Sequence, residues 1–442
     1  MKVPGYKGSL KRNVTLGPSL LFDKSFLQSL SVDEAAILDQ MFACTISPLF
    51  FAETRADLAK EQRGSRHPTQ IIAELATKTP VCHGYMNVFH SRALLEELLG
   101  HDVPMDYRPM VAGGIPVRTE DGLGMVYKQS PEALAFERWQ EHRFLDVERI
   151  AAKLWRRSLG ELNLPAIRDA FQAILKKEHR PKNQQEAFKI AQGIVEAPGH
   201  NYRTLAIAHS LLDLPAESFR DIVRLWKAAG GNPLKVYAPF TAYCLQIDLY
   251  FYLCLSNGII SDQRASNKVD MGYLYYAPFA NAFVSSDRLH RAHAPMFMGA
   301  DQMFIWGPEL KADLASLNQH FLSLSDEEKA QGLFTLASKP PLDHEGICTR
   351  AWDRFRAGWR KPKGAPLKLP PEIERKIIKD GNRLIAAAEM ADMPPPPRPA
   401  SRYDEGKLDR LILRRAIPRE RGSWRMFSKE VEKAENARHQ KG

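Results

Sequence analysis

The sequence predicts an α/β fold: a parallel-sheet core, interrupted by a large, mainly helical insertion and followed by a helical C-terminal extension. Three observations predict it. Short apolar runs near the N-terminus hand over to helix-capable segments, as at 19–22 and 45–51. From Pro131 to about Lys227 the periodicity is helical almost throughout. A buried strand pattern then returns at Ala282–Val284. Strands that alternate with helices form parallel sheets, and the long helical block between them reads as an insertion.

The elements follow in order. Ser19 to Phe22 reads as a strand ending at Asp23. SVDEAAILDQMF reads as a helix, with Ser31 as its N-cap and Glu34 completing a capping box. Thr45 to Phe51 looks like a second buried strand, with a helix starting around Glu53. A helix is expected at Ser91–Leu99. The Gly-Gly and Asp-Gly punctuation of 110–128 reads as a β-hairpin or loop. Gly230-Gly231-Asn232-Pro233 closes the helical block, and an apolar helix fills 240–256. NKVDMGYLYYAPF is a short helix ended by Pro278, before the strand at 282–284. Residues 308–392 are again mostly helical, PPPPRP (394–399) is a stiff extended linker, and helix-capable pieces follow at 405–416 and 428–438. The expected units are 1–60 and 236–305 as two parts of one core, 61–235 as the insertion, 306–392 as the extension and 393–442 as a basic, partly disordered tail.

At 442 residues, 44% hydrophobic and 26% charged, the composition is that of a globular protein. The net charge is +10, and residues 393–442 supply six of it through 13 Lys/Arg against 7 Asp/Glu. An anionic partner is expected, nucleic acid first among them. Four runs (153–157, 173–183, 358–364 and 411–425) are rich in Arg and Lys, and three of them carry a Trp. Phosphate contact with Trp stacking is one use of such runs; a solvated helix face is the other. Five scattered cysteines without a CxxC pair predict reduced thiols and a cytoplasmic protein. The 240–260 stretch is long enough to span a membrane, yet Gln246 and Asp248 sit near its middle, so a buried core helix and no membrane partner are expected. Asp248 is expected to pair with a basic residue such as Arg264.

Carboxylates recur where strands end. Asp23, Glu53 and Asp287 each stand at a strand exit or an early helix position, and Asp270 lies at the start of the helix before the last strand. In an open parallel sheet ligands bind outside the carboxyl ends of the strands. Clustered carboxylates raise one another's pKa unless a cation compensates. Mg²⁺ or Mn²⁺ suits such oxygen donors.

These residues resemble the PIN-like nuclease domains. FDKS (22–25) is similar to the first-strand motif, with Ser25 the hydroxyl that supports Asp23; SPLFFAETRADL (47–58) resembles the segment carrying the second acid, Glu53. VDMGYLYYAPFANAFVSSDRLH (269–290) resembles the closing helix–strand unit, with Asp270 and Asp287 17 residues apart. The resemblance covers about 18–60 and 240–300, split by the insertion. It implies that Asp23, Glu53, Asp270 and Asp287 bind Mg²⁺ or Mn²⁺ and support RNA cleavage by water, that Ser25 and Ser286 orient carboxylates, and that the protein is a metal-dependent endoribonuclease acting on RNA rather than DNA. Arg288 and His290, directly behind Asp287, would face phosphate.

Each acid also has a plainer reading. Asp23 can cap a helix starting at Ser25, Glu53 can be a first-turn acid facing solvent, Asp270 can cap 271–277, and Asp287 can be a turn residue. His290 and His293 form an H-x-x-H pair without an evident third ligand, which argues against zinc. Two other function classes stay open: a non-catalytic nucleic-acid-binding protein that keeps the fold, and a mainly structural helical assembly protein. A homo-oligomer is compatible with all of them.

Overall fold

The computed structural model describes residues 17–62, 66–111, 114–119, 122–174, 180–361, 371–390, 410–413 and 416–431. In chain order its longer strands are β1 (Ser19–Phe22), β2 (Ala43–Ile46), β3 (Gly84–Met86), β4 (Gly114–Thr119), β5 (Gly122–Tyr127), β6 (Ala282–Ser285), β7 (Met303–Trp306) and β8 (Arg410–Leu413). Five of them make the central sheet, in the order β3-β2-β1-β6-β7, and every pairing is parallel. β1, β2 and β6 are buried along their whole length. That is why their sequences are continuous apolar runs rather than alternating ones.

Register places the strand ends side by side. Leu20 lies opposite both Cys44 and Ala282, and Phe22 opposite Val284. The Asp23 N–H reaches back to the Val284 carbonyl at 3.3 Å, which latches the end of β1 to β6. The chain leaves β1 towards β2 and β3 on one side; after β6 it continues to β7 on the other. The sheet therefore reverses its direction of winding between β1 and β6.

Several expected elements stand as read. β1 matches its expected span, Ser31 and Glu34 form the capping box of the Val32–Met41 helix, and β4 and β5 form an antiparallel hairpin. Helices dominate from Pro131 to Ala228. The apolar segment folds as the Pro239–Ser256 helix inside the core, and no helix among the described residues is long and apolar enough to cross a membrane. Asp248 on that helix does pair, but with Lys268 Nζ at 2.6 Å and with the Tyr275 hydroxyl, not with Arg264.

Other boundaries move. The second strand stops at Ile46, because Ser47 caps a helix that begins with Pro48, a residue suited to a first helical position. Glu53 thus lies in the middle of the Pro48–Ala56 helix, not in its first turn. Asp270 sits inside the Ser266–Gly272 helix and caps nothing. Within the expected helical piece at 405–416, residues 410–413 form β8, which pairs with β5; the PPPPRP linker lies outside the described residues.

The C-terminal piece 416–431 is docked on the core. The Arg421 guanidinium is buried against Asp39 at 2.6 Å and also donates to the Lys78 and Thr79 carbonyls, each at 2.8 Å. Asp39 in turn accepts from the backbone N–H groups of Val81, Cys82 and His83. Trp424 is buried, with its indole N–H on Asn318.

Candidate functional site

The site is built at the carboxyl ends of β1 and β6. As β1 ends, Asp23 turns out of the sheet and caps the Lys24–Ser29 helix, Oδ1 accepting from the Phe26 N–H at 2.9 Å. Its other oxygen, Oδ2, accepts from two hydroxyls, Ser25 and Ser285, each at 2.7 Å. Ser25 therefore supports Asp23 as the resemblance implied. The hydroxyl contributed by the other strand belongs to Ser285 and not to Ser286. Ser286 Oγ is buried without a partner and is turned towards β7, where a Cβ on Gly307 would meet it at 2.1 Å. Only glycine at 307 permits that approach.

Ser285 Oγ also accepts from the Asp287 N–H at 2.9 Å and contacts His290 Nδ1 at 2.8 Å. His290 is fully buried, with Nε2 on the Asp270 carbonyl oxygen at 2.7 Å and Nδ1 3.4 Å from Asp23 Oδ2. With Asp23 held ionised, the hydrogen-bond inventory gives the charge of His290. A carbonyl can only accept, so Nε2 carries a hydrogen. The single Ser285 hydrogen goes to the Asp23 carboxylate, so Nδ1 must donate to Ser285 as well. Both nitrogens protonated means imidazolium. Burial pushes the His290 pKa down, but the Asp23 carboxylate and the carbonyl and carboxylate of Asp270 together outweigh burial and hold it at about 9. Burial likewise raises Asp23, and His290 with the two serine hydroxyls more than offsets this and keeps it below the usual carboxylate range. His290 is thus an internal counter-ion, and its expected contact with phosphate is ruled out: both nitrogens are committed in the interior.

The other acids gather around this pair. Glu53 Oε2 accepts from the Tyr273 hydroxyl at 2.5 Å, and burial raises its pKa despite Lys24 and that hydroxyl. Burial raises Asp270 to about 7; His290 opposes the rise, while Glu53 and Asp287 add to it. Asp270 Oδ2 is buried with no hydrogen-bond partner. Asp287 caps the Arg288–His293 helix through the Leu289 N–H at 2.7 Å and is half-buried. Electrostatic coupling runs from Asp23 to Glu53, from Glu53 to Asp270 and from Asp270 to Asp287. The four predicted acids therefore share one neighbourhood, and Asp23 and Asp287 are caps and cluster members at once.

The sequence reading did not single out Tyr273, Ser285 or Lys24. Tyr273 follows Asp270 by three residues, a spacing that puts both on one side of a helix. Ser285 is the last strand residue, two before Asp287. Lys24 Nζ bonds the Glu53 carbonyl at 3.0 Å and Asp57 at 2.7 Å. Arg288 is exposed.

Two of the basic runs do not present their Trp for stacking. Trp359 and Trp424 are buried, with their N–H groups on Asp353 and Asn318, so neither can stack on a base. Part of the 173–183 run lies outside the described residues. His293 donates or accepts at Tyr250, 2.5 Å away inside the core, and His290 is engaged as above, so H-x-x-H is no zinc pair. Among the described residues no group of three or more His, Cys, Asp or Glu side chains stands in an arrangement that could hold a metal ion as it is. Comparison of the chain with protein-family models, with curated proteins and with solved structures returned no match.

Proposed function

We propose that the chain is a divalent-metal-dependent nuclease with a PIN-like core, hydrolysing phosphodiester bonds in RNA rather than DNA. The observation that carries this reading is positional. Open parallel sheets bind ligands outside the carboxyl ends of their strands, at the point where winding reverses. Here that point lies between β1 and β6, and Asp23 and Asp287 follow those two strands. The preference for RNA rests on the resemblance of FDKS, SPLFFAETRADL and the 269–290 unit.

The acids fit Mg²⁺ or Mn²⁺ by their chemistry. The donors are hard oxygens, Asp270 Oδ2 is a buried acceptor without a donor, and burial disfavours the charged forms of Asp270 and Glu53. Glu53, Asp270 and Asp287 would hold the ion, with Asp23 offering the second lone pair of Oδ1. A bound ion supplies Lewis acidity and lowers the pKa of water. The water oxygen forms a bond to phosphorus as the bridging P–O bond breaks, and the leaving oxygen takes up a proton. The proton that the water gives up passes to solvent, because an ion held by Asp270 would keep that carboxylate charged. The His290 imidazolium holds Asp23 in place.

A second reading has its own observation. His290 already compensates Asp23, as an internal cation would in a protein that keeps the fold without turnover. Cleavage of a mixed RNA pool and of single-stranded DNA, with Mn²⁺, Mg²⁺ or EDTA, separates the two. The nuclease reading expects metal-dependent RNA cleavage, at least 100-fold lower in Asp287→Asn and Glu53→Gln. Asparagine keeps the cap at 287. Asp23→Asn is the poorer variant, because it removes the counter-ion of a buried imidazolium. Metal-independent binding without cleavage supports the binding protein; variants that cleave like wild type remove these acids from the mechanism.

A further inference from the structure

β3 is an edge strand of the central sheet, and a cavity of about 510 Å³ runs along its outer side. Opposite β3 stands the Pro131–Gln140 helix. The Cys44 N–H donates to the His83 carbonyl and the Asn87 N–H to the Ile46 carbonyl. The main chain of residues 83, 85 and 87 therefore faces β2, and in a parallel strand the N–H and C=O groups of Gly84 and Met86 face the other way. Val88, next in that outward series, donates to the Met110 carbonyl at 2.7 Å. No hydrogen bond to the outward side of Gly84 or Met86 occurs among the described residues. The slot thus offers main-chain donors and acceptors between apolar walls that include Val88 and Phe136.

Charges of both signs line the slot. Gln140 bonds the Ala76 carbonyl beside the entry to β3, so the Pro131 end of the opposing helix lies towards the carboxyl edge of the sheet. Lys128 and Arg92 line the cavity together with Glu132 and Glu137, Glu132 standing in the first turn of that ten-residue helix. The acid cluster lies on the same edge. β3 is two strands from β1, which is about 10 Å at roughly 4.8 Å per strand, or about three stacked nucleotides at roughly 3.4 Å each. Proteins that read single strands splay a base into such a slot and bond its edge.

We propose that this cavity is a nucleobase subsite for the strand whose phosphodiester lies at the acid cluster. The base bonds the outward main chain of Gly84 and Met86, and its phosphate meets Arg92 and Lys128. The inference rests on the nucleic-acid reading of the acid cluster, but its test does not require cleavage. Binding of the four ribonucleoside 5′-monophosphates, and of the matching nucleosides, is measured by calorimetry in EDTA, where an ion at the acids cannot contribute. Wild type should bind the monophosphates with unequal affinities and the nucleosides more weakly. Ala133→Trp, which fills the slot from the helix side, should weaken binding at least tenfold. The double variant Arg92→Ala/Lys128→Ala removes two exposed side chains, leaves the fold intact, and should bring monophosphate affinity down to that of the nucleoside. No binding by wild type, or equal binding by wild type and both variants, overturns the subsite, as does binding of an extended peptide in the slot with monophosphates refused. Cleavage by wild type and not by Asp287→Asn decides the nuclease reading separately, so either reading can fail alone.

Discussion

With Asp23 ionised, the hydroxyl hydrogen of Ser285 goes to its carboxylate, and the buried histidine 2.8 Å away carries a proton on each nitrogen. The consequence is measurable as stability. The folded His290 pKa of about 9 lies above its ordinary 6.5. Its contribution is therefore complete below pH 6.5 and is lost as pH rises through 9. Asp23 is shifted the other way, so its share is present above its ordinary 3.8 and is lost only as pH falls through its lower folded value. Asp270, raised to about 7, costs stability progressively between its ordinary 3.8 and 7 and adds nothing further above that. His290 thus contributes a fall between pH 7 and 9 of something on the order of 3 kcal/mol at most, to which Glu53 and the buried thiols of Cys82, Cys244, Cys254 and Cys348, all raised by burial, add losses of their own as pH rises. Urea midpoints across pH 6–8 check this: a decline in wild type that is shallower in His290→Gln is expected, and equal slopes in the two would show that the imidazolium is not there.

Among the elements, long or punctuated ones were legible and short ones were not. β1, the Ser31 capping box, the β4–β5 hairpin and the Pro239–Ser256 helix announce themselves through caps, turn residues or length. β3 and β7, three and four residues long, do not, since so few residues carry no period. Their existence depends on neighbours in the sheet. The second strand was read too long because CTISPLFF is apolar throughout; only Ser47 and Pro48 mark the change to helix. Asp23 and Asp287 were legible as strand-end carboxylates, and Glu53 and Asp270 as acids of the adjoining helices though not at the helix positions expected, whereas the counter-ion was not: nothing in DRLH says that the histidine turns inward. The same limit applies to Asp248, whose need for a partner was evident but whose partner was not. Lys268→Met should expose that dependence. It leaves a carboxylate in the Pro239–Ser256 helix with the Tyr275 hydroxyl alone, and should lower stability by about 3–5 kcal/mol. The double variant Asp248→Leu/Lys268→Met should recover much of the loss, and equal melting of Lys268→Met and wild type would contradict the pairing.

Across the whole molecule, contacts join residues that lie far apart in the chain. Arg421 meets Asp39 over 382 residues, with the guanidinium also serving the backbone carbonyls of Lys78 and Thr79. An ammonium cannot reproduce that fork. Arg421→Ala should cost about 3–5 kcal/mol, and Arg421→Lys should restore little of it. Hydrogen exchange should show 416–431 released in both, and an unchanged urea midpoint would mean that this piece is only loosely attached. The helical insertion shares one continuous apolar core with the central sheet, so it folds with the sheet rather than beside it. The pairing of β1 with β6 spans the chain in the same way, since 262 residues separate Asp23 from Ser285. Closing a loop of that length costs about 5 kcal/mol in chain entropy. On the ribosome, at about 5–20 residues per second, roughly 13–50 s pass between the emergence of β1 and that of β6. For that interval the apolar middle of the sheet has one bare flank. The nascent chain must shelter it with helices already made or with a chaperone, and the acid cluster cannot exist until synthesis is two-thirds done.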